Sequence, residues 1–462
     1  MLFRSYETLN HFANGALLER LGDGEWRQHS LLRSFALALL RQAGEQETNA
    51  MAHANAYLGA MHAADGAQHY DEMLPFIPQL RHAFAWIVDN DLELALDIAA
   101  NCANLMQQFS LTREAGEWSE QLLAAAQAGR AAPDLLGRVY SHRATTLSEL
   151  ATLPGENRRQ RLSEALAASD DALRFHPDTA LLDYATTQNN RANILRELAA
   201  LTGEDRGQRL SEALAAYDAA LRFLRPDSAS LDYATTQNNR ANILSEVATL
   251  PGEDRPQRLY EALAAADNAL RFLRPDAPLT SAQAQTSRAA VLSKLATLPG
   301  EDSRQRLLEA LAAADDALRF LHPNNAPLAY AQTQHNRANR LSDLATLPGE
   351  DRRQRLVDAL AACDDALHFL HTDTAPLVYA ATQANRATIL SDLATLPGED
   401  RRRCLVDALA ACDAALRFRR PDNAPLDYAQ TQHNRAIILS NLATLPGEDR
   451  RQRLADALAA AD

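Results

Sequence analysis

One phrase recurs along this chain, and the distance between its copies limits what the chain can fold into. Seven loop glycines, Gly155, Gly203, Gly252, Gly300, Gly349, Gly398 and Gly447, lie 48, 49, 48, 49, 49 and 49 residues apart. A period between about 20 and 50 residues marks a stacked array, in which each unit covers its neighbour's apolar face. For 462 residues, length alone predicts about three compact domains at roughly 150 residues each, and the repeat overrides that expectation. With 47% hydrophobic and 23% charged residues, the chain has enough apolar surface to bury a continuous core.

Each unit reads as two helices. In one copy the first spans about Tyr184 to Leu201, where Tyr184, Gln188, Arg191, Leu195 and Leu198 advance by 4, 3, 4 and 3 and share one face. A Leu-Pro-Gly phrase, present in most copies, ends it: proline removes a backbone donor and glycine tolerates the reversal. The second helix spans about Gln208 to Leu224 and carries a broad apolar stripe from Leu210 to Phe223. A Glu-Asp pair such as Glu253-Asp254 precedes it, where carboxylates favour a helix N-terminus.

This pattern resembles the tetratricopeptide repeat (TPR), whose signature is W-x2-L-G-x2-Y, then A-x3-F, then P. The same spacing here carries Gln188, Arg191, Ala192 and Leu195, then Ala213 and Tyr217, then Pro226. The surplus over the usual 34 residues falls mainly between the two helices. Over roughly residues 132–462 the resemblance implies an all-α, right-handed α-solenoid of about seven long helical hairpins. The chain stops at Asp462 inside a second helix with no polar cap, so an incomplete array is expected.

The first 130 residues read differently. Leu17 to His29 predicts a short β-hairpin around Gly22-Asp23-Gly24, followed by a helix over Ser30–Leu40. Further helical hairpins follow, with Trp86 and Trp118 as core anchors. Hairpin and helix resemble the end of the winged helix in NB-ARC-type (STAND) signalling ATPases, and the segment after them resembles the helical arm of the same family. The expected organisation is a winged-helix remnant over residues 1–43, a connector arm over 44–131 and the repeat array over 132–462. In that family a Met-His-Asp motif at this junction contacts nucleotide phosphate; Gln28, His29 and Ser30 match by position and His29 alone by type. The resemblance implies nucleotide sensing for His29 and an ATPase module in cis or in trans. Read without it, His29 is a partly exposed histidine at a helix start.

Two charged ladders advance with the repeat: arginines at 143, 191, 240, 288, 337, 386 and 435, and aspartates at 170, 218, 267, 315, 364, 413 and 462. They predict a structural Arg–Asp pair inside each unit, including Arg191 with Asp218, Arg240 with Asp267 and Arg337 with Asp364, because burial of either charge alone is costly. Identical ladders suit scaffolding, whereas a binding site needs differences between copies. Such differences fall two residues before and after each arginine, positions that line the concave groove in the resembled family. The candidate peptide-binding residues are therefore Asn189, Asn193, Asn238, Asn242, His335, Asn339 and His433; asparagine both donates and accepts, as a row holding an extended backbone must. A plain solvated polar face accounts for the same residues equally well.

Several chemistries are excluded. Of 46 basic residues all but Lys294 are arginine, and no Gly-Lys-Ser/Thr exists, so this chain has no P-loop. It also lacks Gly-x-Ser-x-Gly, His-Glu-x-x-His and any zinc-ligand spacing, so neither an enzyme nor a cofactor is expected. A net charge of -14 argues against a nucleic-acid backbone binder. Cys102, Cys363, Cys404 and Cys412 form no CxxC, and no segment reaches 18 apolar residues, which points to a cytoplasmic protein off the membrane. The expected function is recognition of a protein or peptide in the groove, as a scaffold or as the sensing arm of a STAND-type system. Two alternatives stand beside it: a helical-repeat reader of single-stranded RNA, and a fragment of a nucleotide-binding ATPase.

Overall fold

The computed structural model describes residues 18–20, 26–28, 38–67, 70–129, 131–175, 181–273, 277–324, 326–373, 375–422 and 424–461. His29 and most of the helix expected over Ser30–Leu40 lie outside the described residues; residues 38–42 are helical. The expected hairpin forms. β1 (Leu18–Arg20) pairs antiparallel with β2 (Trp26–Gln28), with Leu18 opposite Gln28.

Every longer element is helical. α1 (Gln46–Ala67), a 3-10 turn over Tyr70–Phe76, α2 (Ile77–Ile87), α3 (Leu92–Asn101), α4 (Ala103–Gln108) and α5 (Thr112–Ala128) build the arm. Phe84 stacks on Trp118 with centroids 4.1 Å apart, and both are buried beside Leu80, Ile87 and Leu122. Trp86 is half-buried against the same core. That core runs past residue 131 to Val139, so the arm and the first repeat share apolar packing.

Helices of a TPR-like array then follow: α6 (Pro133–Leu150) packs as an antiparallel hairpin with α7 (Arg158–Phe175), α8 (Leu181–Ala199) and α9 (Arg206–Leu221) come next in the chain, and α10 (Ser230–Val247) packs with α11 (Arg255–Phe272). The later pairs are α12 (Pro278–Leu295) with α13 (Ser303–Leu318), α14 (Pro327–Ala345) with α15 (Arg352–Phe369), α16 (Pro376–Leu393) with α17 (Arg401–Leu416), and α18 (Pro425–Leu442) with α19 (Arg450–Ala461). By internal contacts the chain forms two compact units, Met1–Glu204 and Asp205–Asp462, so the division falls inside the repeat array. In the second unit the larger cores join one hairpin to the next first helix, as where Leu341, Leu344, Leu356 and Cys363 of α14 and α15 meet Ile389 and Leu393 of α16. Cys363 and Cys412 are buried packing residues, and burial pushes both thiols up to about 12.

The loop between the helices is built the same way in each copy. The seven loop glycines hold φ between +83° and +87°, a left-handed conformation that a side chain resists. Asp205, Asp254, Asp302, Asp351 and Asp400 cap their helices by accepting from the backbone N–H three residues on. The glutamate before the cap turns back to an arginine five residues on: Arg306 Nε donates to Glu301 at 2.9 Å and Arg355 Nε to Glu350 at 2.8 Å. Glu350 and Glu448 also accept from Arg304 and Arg402 of the preceding repeat, which fastens neighbouring loops together.

Candidate functional site

The charged ladders pair across repeats, which corrects the expectation of pairs inside each unit. Arg191 Nε donates to Asp170, Arg240 to Asp218, Arg288 to Asp267, Arg386 to Asp364 and Arg435 to Asp413, each at 2.7 Å, and Arg337 to Asp315 at 2.6 Å. Each arginine thus reaches back to the second helix of the preceding unit, so Arg191 and Asp218, Arg240 and Asp267, and Arg337 and Asp364 are not partners. Nor are the charges buried. The aspartate side chains are 43–52% exposed, so each pair is a modest, screened stitch. Arg143 departs from the ladder, lying 3.9 Å from Glu120.

The polar residues around each arginine also face neighbouring repeats. In the first unit Ser141 bonds Thr187 at 3.0 Å and Asn190 donates to Thr145 at 3.3 Å. In the second unit Asn434 donates to Thr388 at 3.3 Å, and Asn385 donates to Asn339. The position two before the arginine therefore meets the next first helix four before its own arginine. The position two after it meets that helix one before. Asn189 and Asn193 on α8 are half-buried and engaged with other groups. On α10, Asn242 is half-buried, while Asn238 is buried with its Oδ1 unpartnered among the described residues. His433 on α18 is exposed.

His335 and Asn339 do come together. Thr382 Oγ1 donates to the Val378 carbonyl at 2.8 Å, so the proton between it and His335 Nδ1, 3.0 Å away, belongs to the imidazole. His335 Nε2 is then left to accept from Asn339 Nδ2 at 3.4 Å. The ring is neutral: burial, reinforced by the charges of Arg340 and Arg419, lowers it to about 4.

Those two arginines mark the place where the repeat breaks its own rule. Nine residues before the loop glycine, five copies carry a buried aliphatic, Ile194, Ile243, Val291, Ile389 or Ile438, each at most 2% exposed. The first copy has Thr146, 4% exposed. In α14 that slot holds Arg340, whose Nε is sealed from solvent with no hydrogen-bond partner among the described residues. Burial pulls its guanidinium below the usual range against the pull of Asp343, and burial likewise raises the Asp343 carboxyl. Twenty-one residues after the loop glycine, Leu224, Leu321 and Leu370 are buried in their copies, and Leu273 holds the same place in another. Arg419 stands there after α17, its side chain 12% exposed. It donates to Thr431 Oγ1 at 2.9 Å and lies 3.9 Å from Asp427. Thr431 is the counterpart of Thr382, which bonds His335 of the helix before it; the residue matching His335 one repeat on is Ala384, which offers Thr431 no polar group.

Neither arginine is among the residues singled out from spacing alone. The signal was present in the sequence, in a column-by-column comparison of copies over the apolar positions instead of the polar ones. Lys294 is a third departure, standing where the other repeats have Glu, Asp or Asn. It donates to the Ser245 carbonyl at 3.0 Å and to Ser245 Oγ at 2.7 Å, so the single lysine ties two first helices together.

No group of histidine, cysteine, aspartate or glutamate among the described residues could hold a metal ion. No helix there is long and apolar enough to cross a membrane. No protein-family model and no curated protein matches this chain. Among solved structures, the crystal structure of the P58(IPK) TPR domain aligns over 88% of this chain and 98% of its own, at 14% identity and a TM-score of 0.23.

Proposed function

We propose that the chain is a non-catalytic interaction scaffold that binds a carboxylate-bearing protein segment on its second unit, at His335 and Arg340 of α14 and Arg419 after α17. One observation carries the reading: Arg340 places an unpaired guanidinium in a slot where the other copies bury an aliphatic side chain or a threonine. An unpaired, half-buried charge costs stability, and such a cost persists where a partner from outside completes the pairing. Guanidinium favours planar carboxylates, which it grips with two parallel hydrogen bonds. The neutral imidazole of His335 adds a polar surface without competing charge.

In the STAND-type version of this reading, the N-terminal arm couples segment binding to an ATPase module in cis or in trans, and the coupling requires different affinities for two arrangements. The resemblance of the first 130 residues supports that version.

The test uses arrays of acidic peptides, each duplicated with Gln and Asn in place of Glu and Asp, probed with the intact chain and with Arg340→Ile. The proposal predicts retention of acidic peptides by the intact chain alone. Equal retention of the amide duplicates, or by the variant, would refute it.

A further inference from the structure

A second departure from the repeat lies in the first unit, around a cavity of about 290 Å³. It opens between α3 and α4 of the arm and α6 and α8 of the first repeats, with Asp97, Arg138, His142, Thr145, Glu149 and Asp183 on its wall. At ~30 Å³ per water it holds roughly ten waters, the low end of the range for small-ligand sites.

Its wall is rich in acceptors and poor in free donors. Arg138 is spent on carboxylates, with Nη1 3.1 Å from Glu93 and Nη2 3.1 Å from Asp97. Two of the hydroxyls point their protons into the helix backbone: Thr145 donates to the Ser141 carbonyl at 3.3 Å and Thr146 to the His142 carbonyl at 3.0 Å. His142 occupies the position just before the repeat arginine, where five of the six later copies have asparagine. Its ring bonds the Ala99 backbone, which leaves Nδ1 as a bare acceptor, sealed from solvent and without a partner among the described residues. Burial lowers this histidine to about 4, so the ring is neutral. Glu149 presents a carboxyl with no cationic partner among the described residues, raised by burial. The wall thus carries three carboxyl groups against one arginine that is already paired.

The structure assigns to this cavity a small organic cation, a primary amine or guanidinium compound, whose N–H groups meet Glu149 and Asp183 beside the neutral ring of His142. Amine and guanidinium donors supply what the wall lacks, whereas a carboxylate or phosphate would meet like charge. The cavity belongs to the first unit and owes nothing to the Arg340 site, so either assignment can fail alone.

Calorimetry on the full chain at pH 7.5 tests it, with 1,4-diaminobutane and agmatine as probes and 1,4-butanediol and succinate as neutral and anionic counterparts. Saturable one-site binding of at least one cation is expected, with neither counterpart binding. Glu149→Gln should weaken that binding at least tenfold. Asp183→Asn, checked for unchanged helicity, should weaken it similarly, and Glu399→Gln in the second unit should leave it unchanged. Absence of saturable binding at millimolar probe would overturn the assignment. So would equal binding by both cavity variants, which is the signature of amines collecting on an acidic surface.

Discussion

Arg340→Ile should stabilise the protein while removing its binding, and the size of the first effect follows from the structure. Full burial of an isoleucine side chain contributes about 1.5–3 kcal/mol, but the aliphatic stem of Arg340 already covers part of that surface, leaving about 1 kcal/mol as new gain. Removing a buried donor without a partner adds about 1–3 kcal/mol, and the lower half applies because the outer guanidinium still meets water. The neighbouring copies show that the slot accepts the residue: Ile243 is fully buried and Ile389 is 1% exposed. The net expectation is about 2–3 kcal/mol. For a unit the size of Asp205–Asp462, 1 kcal/mol corresponds to roughly 2–4 °C, so the melting temperature should rise by roughly 4–12 °C. Circular dichroism melts and urea titrations of both proteins, read together because repeat arrays can unfold in parts, measure the change. An unchanged or lower midpoint would show that Arg340 is already held by favourable contacts, and the reasoning that makes it a binding residue would fail.

Other expectations are simpler. Asp218→Asn, which cuts the pair with Arg240 on the next repeat, should cost about 0.2–1 kcal/mol in urea titration, and the loss should shrink at high salt. Gly300→Ala, at φ +87°, should cost about 1 kcal/mol or more in the same assay, since a side chain resists that conformation. Asp302→Ala removes the cap accepted from Gln305 N–H at 3.0 Å and should cost about 1 kcal/mol. His335, neutral and lowered to about 4 against 6.5 when unfolded, binds fewer protons folded than unfolded between those values. Its contribution is therefore complete above about pH 6.5 and falls as pH drops toward 4, by up to about 3 kcal/mol. His335→Gln should flatten that part of the stability–pH curve; an unchanged slope would place the titration elsewhere.

The fold was legible because its signals were periodic. Leu-Pro-Gly phrases, Asp caps and apolar stripes recur in register, so helix types and loop positions could be read from spacing, with ends off by about three residues at the start of α8. Partner choice was not legible in the same way. Asp218 lies nearer in sequence to Arg240 than to Arg191, but periodicity alone cannot say whether a ladder closes within or between units. That depends on which side of the first helix faces the preceding hairpin, and the geometry settles it through Arg240 and Asp218. The asparagine positions illustrate a second limit. Spacing placed Asn339 on the groove side, yet its amide bonds His335 on its own helix and Asn385 across the seam, because a polar residue between two packed helices finds partners there before solvent. Arg340 and Arg419 went unread for the opposite reason: in an arginine-rich chain, two more arginines carry no compositional signal, and only their aliphatic columns expose them. His142 is similar, a departure in a column that is otherwise asparagine except for Ser287.

The central claim is that binding resides where the copies differ and not in the ladder they share. Fluorescence anisotropy of one labelled acidic peptide, titrated with the intact chain, Arg340→Ile and Arg386→Gln, tests it most directly. The account predicts at least tenfold weaker binding by Arg340→Ile and near-normal binding by Arg386→Gln, whose parent residue is paired with Asp364. Equal loss in both variants, or loss in Arg386→Gln alone, would place recognition in the repeated arginine ladder and contradict the account.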